Sequence, residues 1–232
     1  MELTQILSKY KGRTLKEEEL SHYVNWAMDY FHDENHVTDP YLTMTLNLDL
    51  TQARSVYENS YKAVEGASFQ AYLVWNLSRA LQKEWTFSTR NIDGTWYLFN
   101  NLPIFTPIAV GGDLRFKDVI IENSTELSWQ EFAQAYRNEI NNENAQLEIL
   151  PQKVWALCPF IGNLPNMNFT SFQVHRNRLK TGRPLFYFGK RVQTADSLFV
   201  PLSISIDHAN ADPFVLDRLI SSFQSYLCNN IH

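Results

Sequence analysis

VPLSISIDHANADPF, residues 200–214, joins a strand to a helix through a histidine. Leu198, Val200, Leu202, Ile204 and Ile206 alternate with Phe199, Pro201, Ser203, Ser205 and Asp207, the period-two pattern of a half-buried strand. One further step of the alternation puts His208 on the apolar side. Asp212 followed by Pro213 reads as an N-cap with proline at the first helical position. Phe214, Leu216, Leu219, Ile220, Phe223 and Leu227 then give a final helix its buried stripe. Spacing alone leaves two readings of His208: a core histidine satisfied by backbone groups, or a general base held in a fixed orientation where water is scarce.

The chain upstream supplies more strands and the helices to cover them. Thr14-Leu15-Lys16-Glu17 reads as a capping box and predicts a helix over residues 15–31. YLTMTLNLDL, residues 41–50, alternates as a strand. Phe69, Leu73, Leu77 and Leu81 recur at helical spacing, predicting a helix over 68–83. Asp93-Gly94 is a hairpin turn between strands at 85–91 and 95–100. Residues 105–110 and 115–122 are further strands, and Ser128-Trp129-Gln130-Glu131 is a second capping box opening a helix to about residue 143. Strands at 153–159, 168–174, 185–190 and 198–207 complete the set. The sum is an α/β two-layer sandwich, a large mixed sheet with helices packed on one face.

Several function classes are disfavoured. A net charge of −5 argues against general nucleic-acid binding, which needs a basic face. Cys158 and Cys228 do not make a disulfide framework. The N-terminus lacks the basic-then-apolar order of a signal peptide, and no apolar run approaches the ~20 residues that span a bilayer, so the expectation is a cytoplasmic protein with no membrane partner. His32-Asp33-Glu34-Asn35-His36 is not HExxH, since Asp33 stands in the glutamate position; it reads as a polar turn, and no metal is expected. No GxSxG elbow surrounds Ser171, which argues against a hydrolase built from Ser171, His208 and Asp212. Gly111-Gly112 lacks a P-loop lysine. No Gly/Ser/Pro-rich linker or repeat interrupts the 232 residues, which are read as one domain over 1–232.

The last third of the chain resembles the trimeric (type A) chloramphenicol O-acetyltransferases. That family ends in a strand, then H-H-x-x-x-D-G, then a helix; here the same place reads Asp207-His208-Ala209-Asn210-Ala211-Asp212-Pro213. NFTSF at 168–172, RNIDGTWYLFNNLPIFTPI at 90–108 and YLTMTLNLDL at 41–50 are similar to other family segments, so the likeness covers roughly residues 40–230 and leaves 1–25 as a divergent N-terminal helical extension. The resemblance implies a homotrimer with sites at subunit interfaces. It also implies acetyl-CoA or another acyl-CoA as co-substrate with no permanently bound cofactor, and a small-molecule hydroxyl acceptor. His208 matches the family's catalytic base and Asp212 its structural aspartate.

The departures are as informative. Gly162 stands where the family has the serine that stabilises the oxyanion, leaving a backbone amide, a water, Ser171 or Thr170 as substitutes. Met28 stands where an arginine pairs with the structural aspartate, Tyr187 where a threonine supports the oxyanion, Asp207 where the first, non-catalytic histidine lies, and Pro213 where a glycine follows. Tyr30, Phe31, Phe116 and Tyr187 are candidate linings of an aromatic acceptor pocket. Arg176, Arg178, Lys180, Arg183, Lys190 and Arg191 form a basic run with no Asp or Glu between residues 174 and 195, suited either to coenzyme phosphates or to a solvated loop. Lys190 matches a family lysine near the coenzyme, and Arg191 adjoins it. The leading expectation is a CoA-dependent O-acyltransferase that uses His208 as base on the hydroxyl of a small molecule, chloramphenicol-like or other. The alternatives are a non-catalytic CoA or small-molecule binder and an acyltransferase that takes its acyl group from a carrier-protein thioester.

Overall fold

The computed structural model describes residues 2–113, 115–142, 152–175 and 179–229. Its first half holds α1 (Leu3–Lys9), β1 (Gly12–Thr14), α2 (His22–His32), β2 (Tyr41–Asp49), α3 (Thr51–Val56), α4 (Phe69–Lys83), β3 (Thr89–Ile92), β4 (Thr95–Phe99) and β5 (Ile104–Gly111). The second half holds β6 (Arg115–Ile121), α5 (Trp129–Asn141), α6 (Gln152–Trp155), β7 (Phe160–Asn163), β8 (Leu185–Phe188), β9 (Val192–Gln193), β10 (Leu198–Asp207) and α7 (Pro213–Cys228).

The large sheet runs β2-β10-β8-β7-β5-β6, with β9 added against β10. The β5–β7 and β7–β8 pairs are parallel and the others antiparallel, so the sheet is mixed as expected. Neighbouring residues show its two faces. Ile104, Val119, Ile161, Phe186 and Val200 join the main core with α3, α4, α5 and α7. Their chain neighbours Phe105, Ile120, Phe160 and Leu185 join a second core with Ile6, Tyr10, Phe99, Val154 and Leu157. Alternate side chains point to opposite faces of a strand, so the sheet is apolar on both sides. Helices cover one face. The other is capped by α1, α6 and a small sheet ordered β1-β4-β3.

β10 is therefore buried on both faces rather than half-buried: Pro201, Ser203, Ser205 and Asp207 are all buried. The hydroxyls find partners, Ser203 Oγ donating to the Phe172 carbonyl at 2.5 Å and Ser205 Oγ lying 3.1 Å from Thr43 Oγ1.

Several local expectations change. The helix expected over 15–31 begins at His22, capped by Ser21, whose hydroxyl accepts the Val24 amide at 3.2 Å. Thr14 instead ends β1, and the Leu15 amide is tied to the Trp96 carbonyl at 3.3 Å. Residues 1–25, read as a helical extension, contribute α1 and β1 and bury Ile6 and Tyr10 in the second core. Residues 85–88 form a short 3-10 helix before β3, and the 153–159 strand is replaced by α6 and a turn. Residues 168–174 form no strand; Phe169 and Phe172 pack on each other at 5.3 Å. The strand at 185–190 stops at Phe188. The Ser128–Glu131 capping box is present, and its helix ends at Asn141; residue 143, its expected end, lies outside the described residues. The Asp93-Gly94 turn has positive φ at both residues, 51° and 88°, as a tight hairpin turn requires.

Candidate active site

His208 stands one residue beyond β10, in the turn that leads to α7. The strand ends before the alternation can carry it into the main core. Its amide donates to the Pro40 carbonyl at 2.9 Å. Its ring lies 4.1 Å from the Phe31 ring, centroid to centroid, at an interplanar angle of 43°. Nδ1 is shut away from solvent with no hydrogen-bond partner among the described residues. Half-buried and braced by an aromatic ring, the imidazole is held rather than mobile.

The residue before it organises this turn. The Asp207 side chain is fully buried and its Oδ2 lies 2.8 Å from His32 Nε2. Oδ1 accepts the Ala209 amide at 3.0 Å, and the Asp207 carbonyl accepts the amides of Asn210 and Ala211 at 3.2 and 2.9 Å. The Asn210 side-chain amide in turn donates to Thr89 and Gly182, pinning the turn to β3 and to the chain before β8. Sequence reading placed His32 in a polar turn; it is the last residue of α2 and the partner of Asp207. His36 instead pairs with Asp33 at 3.1 Å and stacks on Tyr30. Among the described residues no group of three or more His, Cys, Asp or Glu could hold a metal ion.

Asp212 is the N-cap of α7: its carboxylate accepts the Val215 amide at 2.8 Å. Gly162 and Tyr187 lie face to face in the register of β7 and β8, and Tyr187 is opposite Ser203 on β10. Ser203 and His208 are separated by five residues, roughly 17 Å at about 3.4 Å per residue. Within one chain, then, the Gly162–Tyr187 pair and His208 occupy different places. Burial pushes the Tyr187 phenol up to about 12, so it stays protonated at neutral pH. Thr170 and Ser171 are exposed in the segment that follows β7, in which Phe172 packs on Tyr187 at 5.0 Å.

Of the aromatic candidates, Phe31 meets His208, Tyr30 packs beside Phe31 at 5.3 Å, and Phe116 is 49% exposed on β6, at the sheet edge opposite β2. The described residues of the basic run do not gather into one patch. Arg183 is buried over the Trp155 ring at 3.9 Å, Arg191 donates to Gln70 Oε1 at 2.6 Å, and Lys180 lies 3.5 Å from a Glu34 oxygen. Lys190 is exposed; Arg176 and Arg178 lie outside the described residues. A concavity of about 670 Å³ has Met28, Asp29, His32, Trp96, Leu157 and Lys180 among its walls, and His208 is not one of them.

A mixed sheet capped by helices, with a histidine just past the end of an interior strand and packed on an aromatic ring, defines the protein as an α/β sandwich. A sequence model of the chloramphenicol acetyltransferase family matches residues 19–224. The chain belongs to that family, and it is an acyltransferase. It is 24% identical to the chloramphenicol acetyltransferase of Proteus mirabilis over 190 residues, 79% of this chain and 82% of the relative. It is also 24% identical to that of Campylobacter coli over 212 residues, 88% of this chain and 95% of the relative. A solved chloramphenicol acetyltransferase superposes with a TM-score of 0.77 at 18% identity, covering 93% of this chain and 99% of the other. A dihydrolipoamide acetyltransferase of Azotobacter vinelandii shares the fold at a TM-score of 0.62 and 14% identity, covering 93% and 92%. Among the described residues no helix is long and apolar enough to cross a membrane.

Proposed function

We propose that the protein transfers an acetyl group from acetyl-CoA to the hydroxyl of a small molecule, with His208 as general base. The observation that carries this is the seat of His208: Phe31 on its ring, Pro40 on its amide, and Nδ1 closed off. Nε2 takes the acceptor hydroxyl proton as that oxygen attacks the thioester carbonyl. The carbon–sulfur bond of the tetrahedral intermediate then breaks, and the departing coenzyme sulfur receives the proton from Nε2. No covalent bond to the enzyme forms. Asp212 holds the start of α7 and does not touch the reacting atoms.

A homotrimer with sites between subunits fits this reading, because His208 and the Gly162–Tyr187 pair stand apart within one chain. Tyr30 and Phe31 beside His208, with Phe116 and Tyr187 from a neighbouring copy, would line the acceptor pocket. Lys190, exposed, is the better residue of its pair for a coenzyme phosphate, since Arg191 is engaged by Gln70. Thiol release from acetyl-CoA is the test, with a panel of alcohols and with wild type compared to His208→Ala. Loss of about 100- to 10,000-fold in the variant is the expected result; equal turnover in both proteins would overturn His208 as the base.

One observation favours a second reading, a relative that binds CoA or a small molecule without turnover: Gly162 offers no hydroxyl and Tyr187 covers it. Calorimetric binding of CoA with no thiol release over the whole panel would establish it. The carrier-protein reading gains nothing from the described basic residues, which are spread over several partners.

A further inference from the structure

We propose that His32 is a positioning residue: through its bond to Asp207 it locks the turn that presents His208. The inference rests on the reading of His208 as base and adds the group that aims it. Asp207 uses every acceptor it has in this turn. Oδ1 holds the Ala209 amide, the carbonyl holds Asn210 and Ala211, and Oδ2 meets His32. The carboxylate is 0% exposed, so water cannot stand in for a missing donor. Remove His32, and Oδ2 has no donor among these partners; the carboxylate must rotate to find one, which releases Ala209, the residue next to His208.

The ring of His32 is itself fixed. It closes α2, lies 4.9 Å from the Trp96 ring, is 13% exposed and lines the 670 Å³ cleft. Phe31, the preceding residue, packs directly on the His208 ring. The C-terminal end of one helix thus meets the imidazole through Phe31 and ties the turn that carries it through His32 and Asp207. Asp212 is used on Val215, and Met28, buried in α2, offers it no charge, so the turn is tied down through Asp207 instead.

Steady-state kinetics of wild type, His32→Leu and His32→Gln test the assignment, alongside amide hydrogen exchange over residues 207–211. In His32→Leu we expect kcat to fall about 10- to 100-fold, the range that an ångström of misplacement produces, with KM for both substrates within about twofold. His32→Gln, whose amide Nε2 can replace the imidazole donor, recovers most of that loss. The Ala209 amide exchanges faster in His32→Leu and near the wild-type rate in His32→Gln. An unchanged kcat in His32→Leu, or a rise in KM in place of the fall in kcat, overturns the proposal. Should wild type show no turnover, the reading of His208 as base fails on its own; the exchange of Ala209 still decides whether His32 holds the turn, and unchanged exchange overturns that too.

Discussion

Tyr187 lies across Gly162 from the neighbouring parallel strand, so close that a Cβ at position 162 would collide with the tyrosine ring. Phe160 and Phe172, at 5.1 and 5.0 Å, hold the ring in place. The absence of a side chain at 162 and the presence of a large one at 187 are therefore one feature. Gly162→Ser alone should destabilise the fold by about 1–3 kcal/mol, the usual cost of overpacking. Gly162→Ser combined with Tyr187→Thr should recover most of that stability. Urea denaturation of the two singles and the double measures the coupling, and strict additivity would show the two sites to be independent.

Lys190 and Arg191 should separate cleanly. Lys190→Ala removes an exposed ammonium and is expected to raise KM for acetyl-CoA about 3- to 10-fold with kcat nearly constant, roughly the 1 kcal/mol of a solvent-exposed charge contact. Arg191 is lowered in pKa by burial, bonds Gln70 and lies 5.2 Å from the Phe69 ring centroid. Arg191→Ala should therefore cost about 1–2 kcal/mol of stability, with KM for the coenzyme changing less than in Lys190→Ala.

Asp212→Ala removes the cap of α7 and should cost about 1 kcal/mol. Asp212→Asn, which can still accept the Val215 amide, should keep most of that stability. If the two variants have equal thermal midpoints, the cap contributes nothing.

Stability should fall at alkaline pH for a definable reason. Burial pushes the Cys158 thiol from 9.0 up to about 12, and the Tyr136 and Tyr187 phenols from 10.0 up to about 12. In the unfolded chain these groups release protons at pH values where the folded protein still holds them. The folded state then binds more protons, so stability is lost as pH rises from about 9 toward 12. Each group contributes a slope of at most about 1.4 kcal/mol per pH unit, and less for Tyr187, which is only partly buried. Cys158→Ala should be less stable than wild type at pH 8, and the gap should narrow by pH 10. A gap that does not change between pH 8 and 10 would remove Cys158 from this account.

The local signals that proved readable were those carried by a few adjacent residues. The strand from Leu198 to Asp207, the Asp212 cap, the Ser128–Glu131 box and the Asp93-Gly94 turn each depend on near neighbours and all stand in the structure. The misreadings have the same root. Residues 153–159 look like a short apolar strand, yet burial does not alternate there: Val154, Ala156, Leu157 and Cys158 are all buried, and the Leu157 and Cys158 amides both donate to the Val154 carbonyl as in a helical turn. In 168–174 the two phenylalanines sit three apart, not two, and pack on each other instead of alternating across a sheet. Thr14 has the chemistry of a cap, but strand pairing with Tyr97 claims it.

The candidate site divides along the same line. The places of His208 after a strand and of Asp212 at a helix start were legible because a strand end and a helix cap are local patterns. The His32–Asp207 pair was not, since its members are 175 residues apart and each alone reads as an ordinary polar residue. A buried carboxylate on the second face of β10 could have signalled that a partner was needed, had that face been known to be covered.

Sequence by itself determined the α/β class, the order of most elements, the family, and the position of the histidine after a long strand. Those properties follow from side-chain periodicity and backbone preference, which act over a few residues. Only the tertiary structure decided that both faces of the sheet are buried, that Tyr187 fills the space above Gly162, and that His32 answers Asp207. These depend on which distant groups meet where water is excluded. There an unfilled volume or an unpaired charge costs far more than at the surface.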